Sequence, residues 1–582
     1  MIHKMPKTFF ITTAIDYTNS PPHVGHAYEK VLADVIARYH RLKGEKVFFL
    51  TGVDQHGQKV QQSAAKAGVP PAEFVKGITQ KFIDLWKKLD VKYDAWAETT
   101  SDRHKKVVQG ILQRLFDAGQ IYKDKQAGYY SVRQEQFLTD KERGADGEFG
   151  PEWGQVEFRE EENYYFKLSQ YKEWLLSYLE KRKDAVIPDF RQTELRNAVD
   201  KIVGDLCISR PKSRLDWGIE LPFNKDFVNY VWFDALTNYI SFAGYDSTLS
   251  TFNSQPSTFR DKWPALQIIG KDILVPAHGI YWLIMLHAIG FPDDQMPQLL
   301  VHGWWNLGGA KMSKSAGNII DPLVLIDKYG ADALRYYLIS DIATGQDADF
   351  SEERLIERYN ADLANSLGNL LNRTLNMTAR YEKDGQVYSG WELEEDATLA
   401  DWVKDTFVFS RDLASTQIRK DDELLALLKK YLRYERLPDE SPWDLFWVLE
   451  HMAMVSNAVN AYSREFEEFD VQSAIEVTLK VIASCNRLVE RTSPWVLVKR
   501  TGSARILSAI LYAFAESLRI IAILISPVLP KAAHGIFDQL NWKVEVSEKE
   551  ERFSLADAEW GKLPNGHVVG KPVPLFPRIE TD

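Results

Sequence analysis

Thr8-Phe9-Phe10-Ile11-Thr12-Thr13-Ala14-Ile15 is a short apolar run, followed by a helical pattern from about Gly25 to Leu42 and a second apolar run from Lys46 to Val53. Strand, helix and strand in that order form a βαβ unit, so a parallel sheet is expected. Two further apolar runs, Ala265 to Gly270 and Gln298 to Val301, come much later, each followed by polar, glycine-containing sequence and then by helix. A parallel sheet interrupted in its middle produces that layout. The interruption, roughly Tyr122 to Asn224, contains Gly144, Gly147, Gly150 and Gly154 and then Phe158-Arg-Glu-Glu-Glu-Asn-Tyr-Tyr-Phe166, and reads as a small inserted domain. Past about Pro322 strand signals nearly vanish, and helical patterns such as Asp401 to Leu413, Trp443 to Phe466 and Asp470 to Arg491 take over. The expected fold is α/β: a Rossmann-like parallel sheet in two halves, residues 1–121 and 225–322, around an inserted connective domain at 122–224. A linking segment at 323–355, an all-α bundle at 356–540 and a C-terminal extension at 541–582 follow.

At about 150 residues per domain, 582 residues make about four domain-sized units. Apolar residues at 45% and charged residues at 26% are the balance of a soluble globular protein, which excludes disordered, collagenous and membrane classes. The net charge of −11 supplies no global basic field, so a nucleic-acid partner needs a local basic face. Cys207 and Cys485 are the only cysteines, which excludes a disulfide framework and any C-x-x-C zinc pair and fits a reducing cytoplasm. Met1 to Thr13 has no export signal. The longest apolar region, Ile506 to Leu529, is broken by Glu516, Ser517, Arg519 and Pro527 and reads as a buried or amphipathic helix, so no membrane partner is expected.

Two segments carry chemistry. Pro21-Pro22-His23-Val24-Gly25-His26 opens the first helix directly after the first strand. Two imidazoles three residues apart share one helix face, beside free backbone N–H groups and the positive end of the dipole, and Gly25 permits close approach. This suits a phosphate chain; a histidine-capped helix start without a ligand has the same sequence. The second is Gly308-Gly309-Ala310-Lys311-Met312-Ser313-Lys314-Ser315-Ala316-Gly317. Two lysines on a glycine-flanked loop are mobile point charges that can close on a developing anion, although a solvated basic turn reads alike. A Walker loop is excluded, because Gly309 and Ala310 stand where Lys and Ser or Thr are required.

In this order on an interrupted parallel sheet, the two segments resemble the HIGH and KMSKS signatures of class I aminoacyl-tRNA synthetases. The resemblance implies an ATP-dependent adenylation site of His23, Gly25, His26, Lys311, Lys314 and Ser315, with His23, His26, Lys311 and Lys314 catalytic and magnesium accompanying ATP. Other stretches resemble the methionyl-tRNA synthetases in particular. They are Ala14-Ile15-Asp16-Tyr17-Thr18-Asn19, Thr51-Gly52-Val53-Asp54-Gln55-His56-Gly57, Tyr230-Val231-Trp232-Phe233-Asp234-Ala235-Leu236-Thr237-Asn238-Tyr239, Ile269-Gly270-Lys271-Asp272, Asp205-Leu206-Cys207-Ile208-Ser209-Arg210 and Pro574-Leu575-Phe576-Pro577-Arg578-Ile579. The similarity runs from about Lys7 to Ile579.

The family implies that Asp54 receives the α-ammonium of methionine, helped by Tyr239 and the Ile15 backbone. Ala14, Tyr17, Trp232, Leu236 and His278 then enclose the thioether, and Asp272 shapes the site from a strand end. An unbranched, polarisable side chain is suited by an aromatic and aliphatic enclosure, and a cationic amine by a carboxylate. Read without the family, Trp232 and Tyr239 are equally core residues, and Asp54-x-His56 a polar turn. Asp16 stands where many relatives have proline, and five residues separate Asp272 from His278 where four are expected. Relatives often carry cysteine zinc knuckles in the inserted domain; here Ser131 stands in Tyr130-Ser131-Val132 and no cysteine lies between Tyr122 and Leu206. No zinc is expected, and elemental analysis of purified protein is expected to find none at stoichiometric level.

The helical third resembles the anticodon-binding domain of the same family. Asn369 and Arg373, spaced i, i+4, share a face able to offer amide and guanidinium edges to unstacked bases, and Trp495 matches a base-stacking tryptophan. An ordinary polar helix face and a core tryptophan are the alternatives. The implied function is methionine-tRNA ligation with tRNA(Met) as partner, by a cytoplasmic monomer. The isoleucyl, valyl and leucyl enzymes carry a larger inserted domain, and the cysteinyl enzyme needs a catalytic zinc. A catalytically silent tRNA-binding paralogue is the remaining alternative, opposed by intact His23, His26, Lys311 and Lys314.

Overall fold

A computed structural model describes residues 8–131, 136–138, 143–144, 146–202, 204–230, 232–312, 319–389, 441–542, 546–547, 550–551 and 553–580. Along the chain the elements used below are β1 (Phe9–Thr13), β2 (Asp16–Tyr17), α1 (Val24–Leu42), β3 (Val47–Asp54), β4 (Ala95–Glu98), α2 (Asp102–Asp117), β5 (Val186–Ile187), α3 (Trp232–Ser241), β6 (Ala265–Gly270) and β7 (Gln298–His302). They continue with β8 (Trp305–Leu307), β9 (Ala310–Lys311), α4 (Pro322–Tyr329), α5 (Ala331–Ser340), β10 (Ala348–Asp349), α6 (Asn369–Tyr381), α7 (Pro442–Glu467), α8 (Val471–Thr492), α9 (Pro494–Leu497) and α10 (Ala504–Ile525). Backbone contacts divide these into two compact units. One is Met1–Pro22, Phe48–Leu85 and Lys92–His302; the other is His23–Val47, Trp86–Val91 and Gly303–Asp582.

The first unit is built on a parallel sheet ordered β2-β3-β1-β6-β7-β5, with β4 paired to β3. Every residue of β6 is buried, as the continuous apolar run Ala265 to Gly270 requires of a strand covered on both faces. The register Phe10↔Ala265 sets strands more than 250 positions apart in sequence side by side, and Leu266↔Gln298 adds the next strand, so the centre of the sheet is closed only after the inserted stretch is complete. That stretch contains an antiparallel sheet in which Ile121–Ser131 pairs along its length with Val156–Phe166. Its alternating polar and apolar residues contrast with the central parallel strands. Ser131 is buried and donates from Oγ to the Trp153 carbonyl (2.5 Å). The guanidinium groups of Arg159 and Arg214 lie 4.5 and 4.3 Å from the ring of its neighbour Tyr130.

The second unit is helical apart from short strands. In it α1 is buried along most of its surface, charged residues included. Asp34 of α1 pairs with Arg38 one turn on (2.7 Å) and with Arg335 of α5 (2.7 Å), and both Asp34 and Arg335 are fully buried. The remaining guanidinium donors of Arg335 reach the carbonyls of Leu89, Pro527 and Val528 at 2.8–3.0 Å. A buried pair survives only when its other donors are satisfied in this way. The expected helices Trp443 to Phe466 and Asp470 to Arg491 are α7 and α8, while Asp401 to Leu413 lies outside the described residues. The apolar helix α10 is long and apolar enough to cross a membrane, yet 94% of its most apolar stretch is buried among its neighbours, as a core helix is.

Candidate functional site

In the first unit, Asp54 ends β3 and is buried at 7% exposure. Its Oδ1 accepts from the His56 backbone N–H and from the Thr99 hydroxyl, both at 3.3 Å, and its carbonyl accepts from the Thr18 N–H and hydroxyl. Burial raises the Asp54 carboxyl to about 7, the negative charge of Asp234 adding to the effect and His56 opposing it. A buried carboxylate in that state favours a cation beside it. Tyr17 is the register partner of Asp54. Its hydroxyl lies 2.6 Å from where a Cβ would stand on Gly57, whose φ of +109° also demands glycine.

Leu236 and Tyr239 of α3 are buried in the apolar cluster against which Ala14, Ile15 and Trp232 are partly buried. His278 is buried and donates from Nδ1 to the Ile273 carbonyl (3.0 Å); in the neutral ring this leaves Nε2 to accept from the Tyr239 hydroxyl (2.7 Å). The Tyr239 hydroxyl is therefore the donor of this pair and the His278 ring its acceptor. The segment Leu274–Trp282 is wound in i→i+5 turns, interrupted at Val275. His278 lies on this wide-turned segment, which brings it to the Tyr239 hydroxyl. Asp272 itself is exposed in the turn Lys271–Ile273.

The sequence reading gave no role to the network behind Asp54. Asp234 accepts from His56 Nδ1 (2.7 Å) and from His104 Nε2 (2.8 Å), and all three side chains are buried. Burial alone would raise the Asp234 carboxyl, but His56 and His104 overcome it and hold the group down to about 2. A lone acid within the apolar helix α3 was the available signal, but its partners lie 178 and 130 positions away.

In the second unit, His23 is the N-cap of α1. Its Nδ1 accepts from the Gly25 N–H (3.1 Å), and His26 Nδ1 accepts from the His23 N–H (3.0 Å), a reciprocal capping box made by two imidazoles. Because each Nδ1 accepts, the proton of each neutral ring is on Nε2, and the two rings, 3.9 Å apart, form a pair of N–H donors at a helix amino terminus. A Cβ on residue 25 would lie 2.9 Å from the His23 ring, so glycine there is a packing requirement. The capping reading and the phosphate reading are thus compatible: one nitrogen of each ring caps, and the other carries the donor.

The lysine loop starts from a hairpin. Gly308 and Gly309, at φ +62° and +75°, make the two-residue turn between β8 and β9, and the Gly309 N–H donates to Asp349 of β10 (3.0 Å). Lys311 on β9 is exposed, its Nζ 4.0 Å over the Trp304 ring. Lys314 and Ser315 lie outside the described residues. One contact joins this hairpin to the histidine helix, Tyr28 of α1 meeting Trp305 of β8 edge-on, and farther along the chain the Ile320 carbonyl accepts from the Val24 N–H (3.2 Å). Among the described residues no group of three or more His, Cys, Asp or Glu is arranged to hold a metal ion. Asn369 and Arg373 are exposed on α6, directly after a second stretch of i→i+5 turns, Tyr359–Gly368. Trp495 on α9 is 47% exposed, too open for a core tryptophan.

The family described as class I tRNA synthetases (M) matches residues 9–147 and 153–375, and the anticodon binding domain of methionyl tRNA ligase matches residues 449–582. A methionine-tRNA ligase of Halalkalibacterium halodurans is 37% identical, across 100% of this chain and 79% of its own length. That of Bacillus subtilis is 36% identical, across 99% and 78%. The crystal structure of Mycobacterium tuberculosis methionyl-tRNA synthetase bound by methionyl-adenylate superposes with a TM-score of 0.80 at 34% identity, covering 98% of this chain and 100% of that one. With both family models matched and likeness of this extent along the whole length, the chain belongs to the class I methionyl-tRNA synthetases.

Proposed function

We propose that the chain activates methionine with ATP, giving methionyl-adenylate and pyrophosphate, and then transfers the methionyl group to the 3′-terminal adenosine of tRNA(Met). The observation that carries the phosphate half of this reading is the Val24 to Ile320 hydrogen bond, which anchors the end of the lysine loop at the start of the histidine helix. The methionine carboxylate attacks the α-phosphorus of ATP, and pyrophosphate leaves; no enzyme nucleophile is needed. His23 and His26 hold the phosphates through their Nε2–H donors at the positive end of α1, with Gly25 permitting close approach. Lys311 and Lys314, with Ser315 beside them, stabilise the charge that develops on the phosphates. Magnesium, accompanying ATP as part of the substrate, would supply screening of the polyphosphate charge. A hydroxyl of the terminal adenosine then attacks the carbonyl of the mixed anhydride, and AMP leaves.

Asp54 receives the ammonium, assisted by the Tyr239 oxygen and the Ile15 backbone. Ala14, Tyr17, Trp232, Leu236 and His278 surround the thioether, and Asp272 shapes the rim. A zinc-free inserted domain is proposed on the basis of buried Ser131 and of the two arginines against Tyr130, which disfavour a cation there. The working form is a cytoplasmic monomer. Pyrophosphate exchange into ATP, run with each of the twenty amino acids and no tRNA, tests the first step: exchange confined to methionine is expected, and exchange with another amino acid alone would sink the specificity.

On the tRNA side, Asn369, Arg373 and Trp495 read the anticodon. Trp495→Ala removes about 1 to 3 kcal/mol of base stacking, so KM for tRNA is expected to rise about 5- to 150-fold. Methionine-dependent pyrophosphate exchange by the same variant is expected to match the unaltered protein, and an unchanged KM would place the indole elsewhere than against a base.

A further inference from the structure

Two carboxylates meet on one histidine in the amino-acid pocket. The backbone N–H of His56 donates to Asp54 (3.3 Å), while its ring Nδ1–H donates to Oδ2 of Asp234 (2.7 Å). The second oxygen of Asp234 accepts from His104 Nε2 (2.8 Å), and Nδ1 of that ring is fixed against Ser241 Oγ (2.8 Å). Asp234 therefore has a ring N–H on each oxygen, a geometry that stabilises the ionised form. Asp54 has a backbone N–H and the Thr99 hydroxyl, with no cationic side chain hydrogen-bonded to it among the described residues. The elements around it bring Asp16 and Tyr17 from β2, Glu98 from the end of β4, His104 from α2 and Asp234 from α3, besides His56 on its own loop. Glu98 accepts from the Trp96 indole (3.0 Å). None of these groups is a lysine or an arginine, so the substrate supplies the cation that pairs with Asp54.

We propose that Asp234 is a positioning residue for the substrate ammonium, acting through His56 on Asp54, and that seating the ammonium drives the proton of the Asp54 carboxyl into solvent. The proposal rests on Asp54 being the partner of the ammonium. Asp234 never touches the substrate: it fixes the loop that aims Asp54, and its permanent buried charge makes a second charge there costly until a cation arrives. The raised position of the Asp54 carboxyl, about 7, accords with this.

The sign follows from which form binds. The ammonium pairs with the ionised carboxyl, so below about pH 7 a proton has to leave first, and the methionine dissociation constant rises toward tenfold per pH unit. Above that it is flat, until the amine of methionine itself loses its proton.

Calorimetric titration of the intact protein with methionine, without ATP, in two buffers of different ionisation enthalpy counts the protons. Release of about half a proton at pH 7 and nearly one at pH 6 is expected. In Asp234→Asn the break in the affinity profile is expected to fall by at least one pH unit and the release at pH 7 to approach zero, whereas Asp234→Glu, which keeps the charge, retains both. Should the amide variant fail to fold by circular dichroism, Asp234→Ser supplies the neutral comparison. A residue that only props the fold would weaken binding equally at every pH and leave the break in place. That result, or the absence of proton release from the unaltered protein, overturns the proposal. The analogue 4-methylthiobutanoate, which lacks the amine, separates the two levels: if it binds as tightly as methionine, the ammonium site itself has been misassigned.

Discussion

Lys311→Ala and Lys314→Ala are each expected to slow methionyl-adenylate formation about 100- to 1,000-fold, with methionine affinity within about twofold of the unaltered protein. The negative charge that builds on the phosphates as pyrophosphate departs is greatest in the transition state, so a cation that closes on it there acts on rate rather than on substrate binding. The position of Lys311 fits this use. Its ammonium rests over the ring of the half-buried Trp304 at 4.0 Å, a contact of about 0.5 to 1 kcal/mol that is readily exchanged for a phosphate. The glycine turn at 308 and 309 fixes where the strand carrying it begins, and Ile320 is hydrogen-bonded to the start of the histidine helix at Val24. Single-turnover quench measurements at saturating methionine and ATP check the rate. Unchanged rates in both variants would remove the loop from the chemistry.

Asp54→Asn is expected to weaken methionine binding about 30-fold or more, corresponding to about 2 kcal/mol upward for loss of one partner of a buried ion pair. The amide keeps the shape of the side chain and its place at the end of β3, so the loss reports charge rather than collapse. Because the residue is buried, solvent screens the missing interaction little. The same variant is expected to lose the dependence of affinity on pH near 7, since the titrating group is gone. Equilibrium titration of methionine at pH 6 and pH 8 measures both effects together. A dissociation constant equal to that of the unaltered protein would assign the ammonium to another group.

Several parts of the molecule were legible residue by residue. The runs Thr8 to Ile15 and Lys46 to Val53, and the helical period between them, became β1, β3 and α1 with boundaries displaced by only a few positions. Strands and helices of this kind are written in near neighbours along the chain, so periodicity finds them. The buried course of α10 was likewise visible in its broken apolar stretch. Strand order was less accessible: β5 is two residues long, too short for any pattern, yet it closes the edge of the parallel sheet beside β7.

The network around Asp54 marks the same boundary within the site. Asp54, His56 and Asp234 all stood in stretches that resemble the family, but nothing in those stretches joined them, and His104 stood in none. His278 lies on a segment of wide helical turns and its hydrogen-bond partner Tyr239 is 39 positions away, a pairing that depends on backbone geometry rather than on residue type.

By itself the sequence pointed to the class of reaction and to the amino acid through resemblance, Pro21 to His26 and Gly308 to Gly317 for the first and stretches such as Thr51 to Gly57 and Tyr230 to Tyr239 for the second, whereas spacing alone left a histidine-capped helix and a solvated basic turn open. Only the tertiary structure decided how those groups are protonated and which of them act through others. The tautomers of His23, His26 and His278, the ionised state of Asp234 and the reluctance of Asp54 to ionise all depend on burial and on partners brought together by the fold, and a one-dimensional string carries neither.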